Sequence, residues 1–203
     1  MIVVVAALKG GVGKTTTSVY LSAVAASNRR AVTLIDADPQ GSAADWVENS
    51  SDETLQKVTV VEGPTDRLVT KALDRLDPDV VCIIDTAPGN ERLLAKVLDR
   101  ASVAVIPTRV GGIEAPRVEA VLAMVPESVP AGLVITSART TTRDYQGALD
   151  NWGEAGVPVW GTVPERVAIA SGPFGWLSLD GLDAYRSVWR KASRAGGKRT
   201  NGS

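Results

Sequence analysis

Three short stretches of this chain carry the residue types that handle phosphate and a divalent cation. Leu8-Lys9-Gly10-Gly11-Val12-Gly13-Lys14-Thr15-Thr16 follows an apolar run and opens a segment with helical spacing. Glycines let successive backbone N–H groups turn inward around phosphate oxygens, and a helix start adds positive partial charge. Lys14, expected in a solvent-facing loop, is placed to reach β- and γ-phosphates, and the Thr15 hydroxyl to bind Mg2+ directly. A plain glycine turn is the simpler account, but Gly-Lys-Thr in register after a strand selects the phosphate loop. The second stretch, Leu34-Ile35-Asp36-Ala37-Asp38-Pro39-Gln40-Gly41-Ser42, ends an apolar run in acid, and so does the third, Val80-Val81-Cys82-Ile83-Ile84-Asp85. An aspartate at a buried strand's end, facing a phosphate loop, can hold Mg2+ through its water shell. A second carboxylate two residues on can orient an attacking water. Asp and Pro also suit an ordinary strand-to-helix turn.

Positioning such residues takes strands that end in a common crevice. Val/Ile-rich runs recur at residues 2–7, 31–36, 58–61, 80–85, 102–107, 133–136 and 157–163. Most are continuously apolar, as strands covered on both faces must be. Segments 15–27, 65–76, 91–100 and 115–125 between them have apolar residues at helical spacing. The alternation predicts an α/β fold: a single doubly wound domain with a mostly parallel sheet of about seven strands and helices on both faces. The expected boundaries are residues 1–194 for the domain and 195–203 for a disordered basic tail. In open parallel sheets ligands sit beyond the carboxyl ends of the strands, where all three stretches fall.

Composition removes other classes of function. The chain has 203 residues, of which 44% are hydrophobic and 22% charged, ordinary values for one globular domain. With 22 Lys+Arg against 23 Asp+Glu, bulk charge draws no nucleic acid, although a local basic patch is free to do so. There is no histidine and one cysteine, Cys82, so His-based triads, internal disulfides and cysteine-rich metal sites are excluded. Cys82 reads as a small core residue. The apolar start lacks a basic leader and a cleavage site, and no run approaches the roughly 20 apolar residues of a spanning helix. A cytoplasmic protein without stable membrane insertion is expected.

The phosphate loop departs from the ordinary pattern, with Leu8 where a glycine is usual and an additional lysine, Lys9, beside the glycines. In this form it resembles the deviant phosphate loop of the ParA/MinD family of P-loop ATPases. Asp-Ala-Asp-Pro-Gln at residues 36–40 resembles the family's first switch, and Ile84-Asp85-Thr86-Ala87-Pro88-Gly89 its Walker B motif and second switch. Further along, residues 105–108 resemble the next strand end, and Gly161-Thr162-Val163-Pro164 the turn that approaches the base. The resemblance implies ATP and Mg2+ as cofactors, and a homodimer closed by ATP in which Lys9 touches the partner's phosphates. It implies catalytic roles for Lys9, Lys14 and Asp38. Nucleotide contacts are implied for Lys9, Gly10, Gly11, Val12, Gly13, Lys14, Thr15, Thr16 and Pro164, and water-mediated metal contacts for Asp36, Asp38 and Asp85.

Within the family, length and Trp46 favour the small plasmid-partition (ParF-like) proteins. With the phosphate loop starting at residue 8, no separate DNA-reading domain is expected ahead of it. The last helical stretch carries the stripe Leu182, Tyr185, Val188, Trp189 and Ala192, suited to docking on the sheet. Its other face carries Arg186, Arg190, Lys191 and Arg194, followed by Lys198 and Arg199. That face suits sequence-independent contact with DNA phosphates. The resemblance then implies nucleoid association when ATP is bound, release through a ParB-like adaptor that stimulates hydrolysis, and segregation of plasmid or chromosomal DNA. Two alternatives remain from other classes: positioning of a non-DNA cargo, and a MinD-like membrane-associated regulator.

Overall fold

The computed structural model describes residues 1–170 and 177–197. Seven strands, β1 (Ile2–Val5), β2 (Val32–Asp36), β3 (Val58–Glu62), β4 (Val81–Asp85), β5 (Val103–Thr108), β6 (Ala131–Ala138) and β7 (Val159–Pro164), form one sheet in the order β3-β2-β4-β1-β5-β6-β7. Every pairing is parallel. The helices are α1 (Lys14–Ser27), α2 (Ser42–Asn49), α3 (Asp66–Asp74), α4 (Glu91–Asp99), α5 (Ala115–Met124), α6 (Arg143–Glu154), α7 (Val167–Ala170) and α8 (Leu179–Gly197). From β1 the chain moves out to β2 and β3, returns to β4 beside β1, and then crosses to β5 on the other side. The reversal puts a crevice at the carboxyl end of β1, where the phosphate loop leaves the sheet.

Strand side chains alternate between two buried layers. Val3, Val5, Leu34 and Ile83 face the layer with α1, α2 and α8, where Val24, Trp46 and Val188 pack. Val4, Ile35, Cys82 and Ile84 face the opposite layer, with Val69 of α3, Val97 of α4, Val121 of α5 and Trp152 of α6. The same parity directs the two terminal acids. Asp36 follows Val32 and Leu34, and Asp85 follows Val81 and Ile83, so both point to the α1/α2 side. The register sets Asp36 level with Asp85, and Val5 level with Asp85.

All seven apolar runs are strands, and the doubly wound fold is as expected. The stripe on α8 docks as its spacing required, with Tyr185, Val188 and Ala192 fully buried and Trp189 nearly so. Cys82 is a buried core residue. Helices α2 and α6 were not legible in advance. α2 is only eight residues long, and α6 buries only Trp152 and includes two glycines. One boundary is corrected: residues 195–197, expected in a disordered tail, continue α8. They stay helical because Ala195 packs against the core and a Cβ on Gly196 would lie 3.1 Å from the Met1 methyl carbon. Residues 198–203, which include Lys198 and Arg199, lie outside the described residues.

Candidate functional site

The phosphate loop turns through Gly11 (φ 74°) and Gly13 (φ 89°), left-handed backbone that glycine adopts without penalty. Gly13 is also the N-cap of α1, which has no capping side chain and no acidic residue in its first turn. By contrast Thr65, Asn90 and Thr142 cap α3, α4 and α6 through their side chains. The first amides of α1 are thus arranged to take an anion. Behind the loop, Thr136 Oγ1 of β6 lies 2.8 Å from the Val12 carbonyl and 3.0 Å from the Thr108 carbonyl. A Cβ on Gly13 would come 3.3 Å from Thr136 Cγ2, so the loop sits directly on β6.

Lys14 is not solvent-facing as expected: it is 7% exposed, and its ammonium donates to the Lys9 carbonyl at 3.0 Å. Burial pulls its pKa below the usual lysine value, while Asp85 and Asp38 oppose the shift. A desolvated cation of this kind gains strongly from phosphate. Asp85 is 1% exposed and accepts one hydroxyl on each oxygen, from Thr15 and from Ser18, both at 2.9 Å. Burial pushes its carboxyl up to about 7, and the neighbouring Asp36 adds to the effect. Thr15, the expected direct Mg2+ ligand, is therefore already joined to the acid expected in the metal's water shell.

Asp36 is employed differently. Its Oδ1 accepts the Asp38 N–H at 3.1 Å, and its Oδ2 accepts the Ala43 and Ala44 N–H groups at 2.9 Å. A strand-end carboxylate thus caps α2 in place of its own N-cap, Gly41, which has no side chain to do so. Burial raises its pKa, and those three N–H bonds hold the rise in check. The metal-shell role expected for Asp36 competes with this capping.

A cleft of about 600 Å³ opens over the loop. Of the expected site residues, Gly10, Gly11, Gly13, Lys14, Thr15, Thr16, Asp38 and Pro164 line it. Lys9, Val12, Asp36 and Asp85 do not. Asp38 keeps a turn bond as well, accepting the Gln40 N–H at 3.0 Å. Sequence reasoning missed Arg109, Glu165 and Arg166, which line the cleft with Arg166 paired to Asp180 at 3.2 Å, and Tyr185, which forms part of its wall. Arg109 directly follows the end of β5 and Arg166 comes two residues after β7, so extending the strand-end rule by two residues would have found both. Tyr185 lies on α8 and meets Thr17 of α1 through a 2.9 Å hydroxyl contact.

Among the described residues no cluster of three or more His, Cys, Asp or Glu could hold a metal unaided. The donor set fits Mg2+ in another way: a hydroxyl, nearby carboxylates and room for phosphate oxygens, the mixed shell that this cation favours. Residues 3–174 match the CobQ/CobB/MinD/ParA nucleotide binding domain. The chain belongs to this family. Among sequences of the CobQ/CobB/MinD/ParA family, Protein ParA of Rhizobium radiobacter is 31% identical over 115 residues, 56% of this chain and 51% of that protein. The maintenance of carboxysome distribution protein A of Gloeobacter kilaueensis is 39% identical over 101 residues, 49% of this chain and 45% of that one. The chain spans about half the length of the curated relatives it matches. A putative plasmid partition protein from Borrelia burgdorferi, solved with AMPPNP, superposes with a TM-score of 0.75 at 18% identity, covering 93% of this chain and 96% of that one.

The residue that marks this CobQ/CobB/MinD/ParA chain as deviant, Lys9, turns away from its own cleft and hydrogen-bonds Glu114. On α8, Arg186, Arg190, Lys191 and Arg194 are all exposed. Arg186 pairs with Asp183 at 2.6 Å, and Lys191 donates to the Val159 carbonyl at 3.2 Å. No helix of the described residues is long and apolar enough to cross a membrane.

Proposed function

We propose that the chain is a Mg-dependent ATPase of ParA type, a switch that dimerises around ATP, binds DNA without sequence preference and lets go on hydrolysis. The observation that carries this reading is the joined set of an anion-ready helix start, a buried Lys14, and a Thr15 hydroxyl bonded to Asp85. When bound, Mg-ATP supplies the transferable phosphoryl group and a cation that spreads its charge. Lys14 leaves the Lys9 carbonyl for the phosphates, and the loop amides take their oxygens. Thr15, through its hydroxyl, and Asp85 beside it would hold the cation, which would neutralise phosphate charge. Asp38, on the cleft wall, orients the attacking water. Val163 and Pro164 of β7 and Tyr185 of α8 give the cleft apolar walls suited to a base.

Closure of two chains, with each Lys9 against the other's phosphates, doubles the basic faces of α8 and steepens affinity for DNA. In this reading Asp36 is a lever: it ties the strand end to the start of α2, so movement of the first switch moves α2. A ParB-like adaptor that speeds hydrolysis would complete a cycle that segregates plasmid or chromosomal DNA. The identity shared with a carboxysome distribution protein supports a second reading, the same switch carrying a non-DNA cargo. Sedimentation velocity of the purified chain with Mg-ATP and with Mg-ADP tests the dimer, and co-sedimentation with plasmid DNA and with anionic liposomes tests its surface. ATP-dependent dimers that pellet with DNA and not with liposomes are expected. Monomers in both nucleotides would overturn the switch, and liposome binding alone would favour a MinD-like regulator.

A further inference from the structure

Lys9 is joined to the rest of the molecule at both ends. Its carbonyl accepts the Lys14 ammonium at 3.0 Å, and its own ammonium donates to Glu114 Oε1. Glu114 is far from Lys9 in sequence, at the end of a short 3-10 turn (Gly112–Glu114) that leads into α5. Its side chain is only 7% exposed, against 39% for Lys9. A buried carboxylate needs a cation or several hydrogen bonds, because its own desolvation is otherwise uncompensated. A second cation is in place: Arg117 Nη1, one turn along α5, lies 3.9 Å from the same oxygen. Between the loop and α5 the remaining space is about 10 Å³, no more than one water occupies. The carboxylate is thus packed in on the α5 side, while Lys9 reaches it from a partly exposed position.

We propose that Glu114 is a positioning residue that holds Lys9 away from the phosphates until a second subunit presents ATP. The inference rests on the reading that Lys9 acts across a dimer. The carboxylate offers one negative charge, and a triphosphate offers more, so the lysine leaves only for a strongly charged acceptor. Arg117 then closes on the carboxylate that Lys9 has left, which keeps the buried charge paired in both states. The exchange of one partner for the other is what lets a buried acid serve as a restraint without becoming a permanent lock. It also favours ATP over ADP as the nucleotide that completes the dimer, since the missing γ-phosphate is the charge that would draw Lys9 away.

The test is sedimentation velocity of the full chain over a protein concentration series in Mg-ATP, with nucleotide affinity measured separately at concentrations where the chain is monomeric. Glu114→Gln keeps the shape and removes the charge. A partly exposed pair contributes up to about fivefold, and each dimer breaks two, so the dimer dissociation constant should fall by up to about 25-fold. Monomer affinity for ATP should not change, because Lys9 and Glu114 do not line the cleft. An unchanged dissociation constant makes the pair a static brace, and a raised one means that Glu114 supports the dimer; either overturns the proposal. Lys9→Ala separates this from the underlying reading: if it dimerises like wild type, Lys9 has no role across the interface and both fall. If Lys9→Ala is monomeric while Glu114→Gln matches wild type, only the restraint fails. Should Glu114→Gln not fold, Arg117→Ala keeps the restraint and removes its replacement partner. Its dimers should be weaker by up to about 25-fold, two replacement pairs being lost per dimer, and equal or tighter dimers would again overturn the proposal.

Discussion

A buried carboxylate held by two hydroxyls should make the nucleotide-free protein sensitive to pH, and Asp85 gives the size of the effect. Its carboxyl rises from the 3.8 of an ordinary aspartate to about 7 on folding. Below about pH 4 both the folded and the unfolded chain hold the proton, and Asp85 costs nothing. Between the two values the unfolded chain has lost the proton while the folded chain keeps it, so stability falls by about 1.4 kcal/mol per pH unit. Above pH 7 the loss is constant at about 4 kcal/mol. Asp85→Asn removes the charge but spoils one of the two hydroxyl bonds, which returns about 1 to 2 kcal/mol. The net gain at pH 8 in EDTA is about 2 to 3 kcal/mol, or roughly 4 to 12 °C in Tm for a domain of this size. Scanning calorimetry of both proteins from pH 4.5 to 8.5 should show the gap closing as pH falls. With Mg-ATP the order should reverse if, as proposed, the wild-type carboxylate supplies negative charge beside the cation that asparagine lacks. Equal Tm for the two proteins at every pH without nucleotide would refute the claim that Asp85 carries stored charge. A mutant stabilised by Mg-ATP as much as wild type would refute its place beside the cation.

Three further outcomes are expected. Lys14→Ala should lose ATP binding by isothermal calorimetry while keeping the wild-type circular dichroism, since its ammonium bonds only a loop carbonyl in the free protein; unchanged ATP affinity would refute the phosphate-loop assignment. Asp38→Ala should bind Mg-ATP and dimerise, yet release little phosphate, and wild-type turnover would reduce Asp38 to the turn residue that its bond to Gln40 makes it. Replacing Arg190, Lys191 and Arg194 together by alanine should leave ATP-dependent dimers intact and flatten the salt dependence of DNA affinity by about 0.9 for each phosphate no longer neutralised. The same slope as wild type would move the DNA surface elsewhere on the molecule.

The strands and the phosphate loop were legible because their signals are local. A strand buried on both faces must be apolar throughout, and a loop wrapping phosphate must have glycine where φ is positive, as at Gly11 and Gly13. What escaped depends on distant residues. α2 is capped by Asp36 from a neighbouring strand, across seven and eight residues of chain, so no local cap announces it. α6 has its cap, Thr142, but too little buried surface to impose a period. The resting place of Lys9 was hidden for the same reason. Its motif predicts where it acts, whereas Glu114 lies 105 residues away and is chosen by the packing of α5 against the loop.

Several features of the apo protein are unfavourable by themselves, and they share one remedy. Asp36 and Asp85 are buried at the same register on adjacent strands, and the charge of Asp36 adds to the cost of ionising Asp85. Lys14 is desolvated with a carbonyl as its hydrogen-bond acceptor. α1 begins without a cap, although a single serine or aspartate at that position is worth about 1 kcal/mol elsewhere. Natural chains retain such local conflicts where function requires them. In the proposed function, phosphate oxygens would satisfy the helix start and Lys14, and a divalent cation would offset the charge of Asp85, so one ligand would relieve these together. That convergence ties nucleotide binding to the rigidity of β1, β2, β4 and α1 at once. Through Asp36 it reaches α2, and through Thr17 and Tyr185 it reaches α8. A signal at the cleft thus has a packed, hydrogen-bonded route to the helix that carries the basic face. Glu114 is joined to the phosphate loop through the Lys9 ammonium, so under the proposed restraint the dimer closes only when that bond is exchanged.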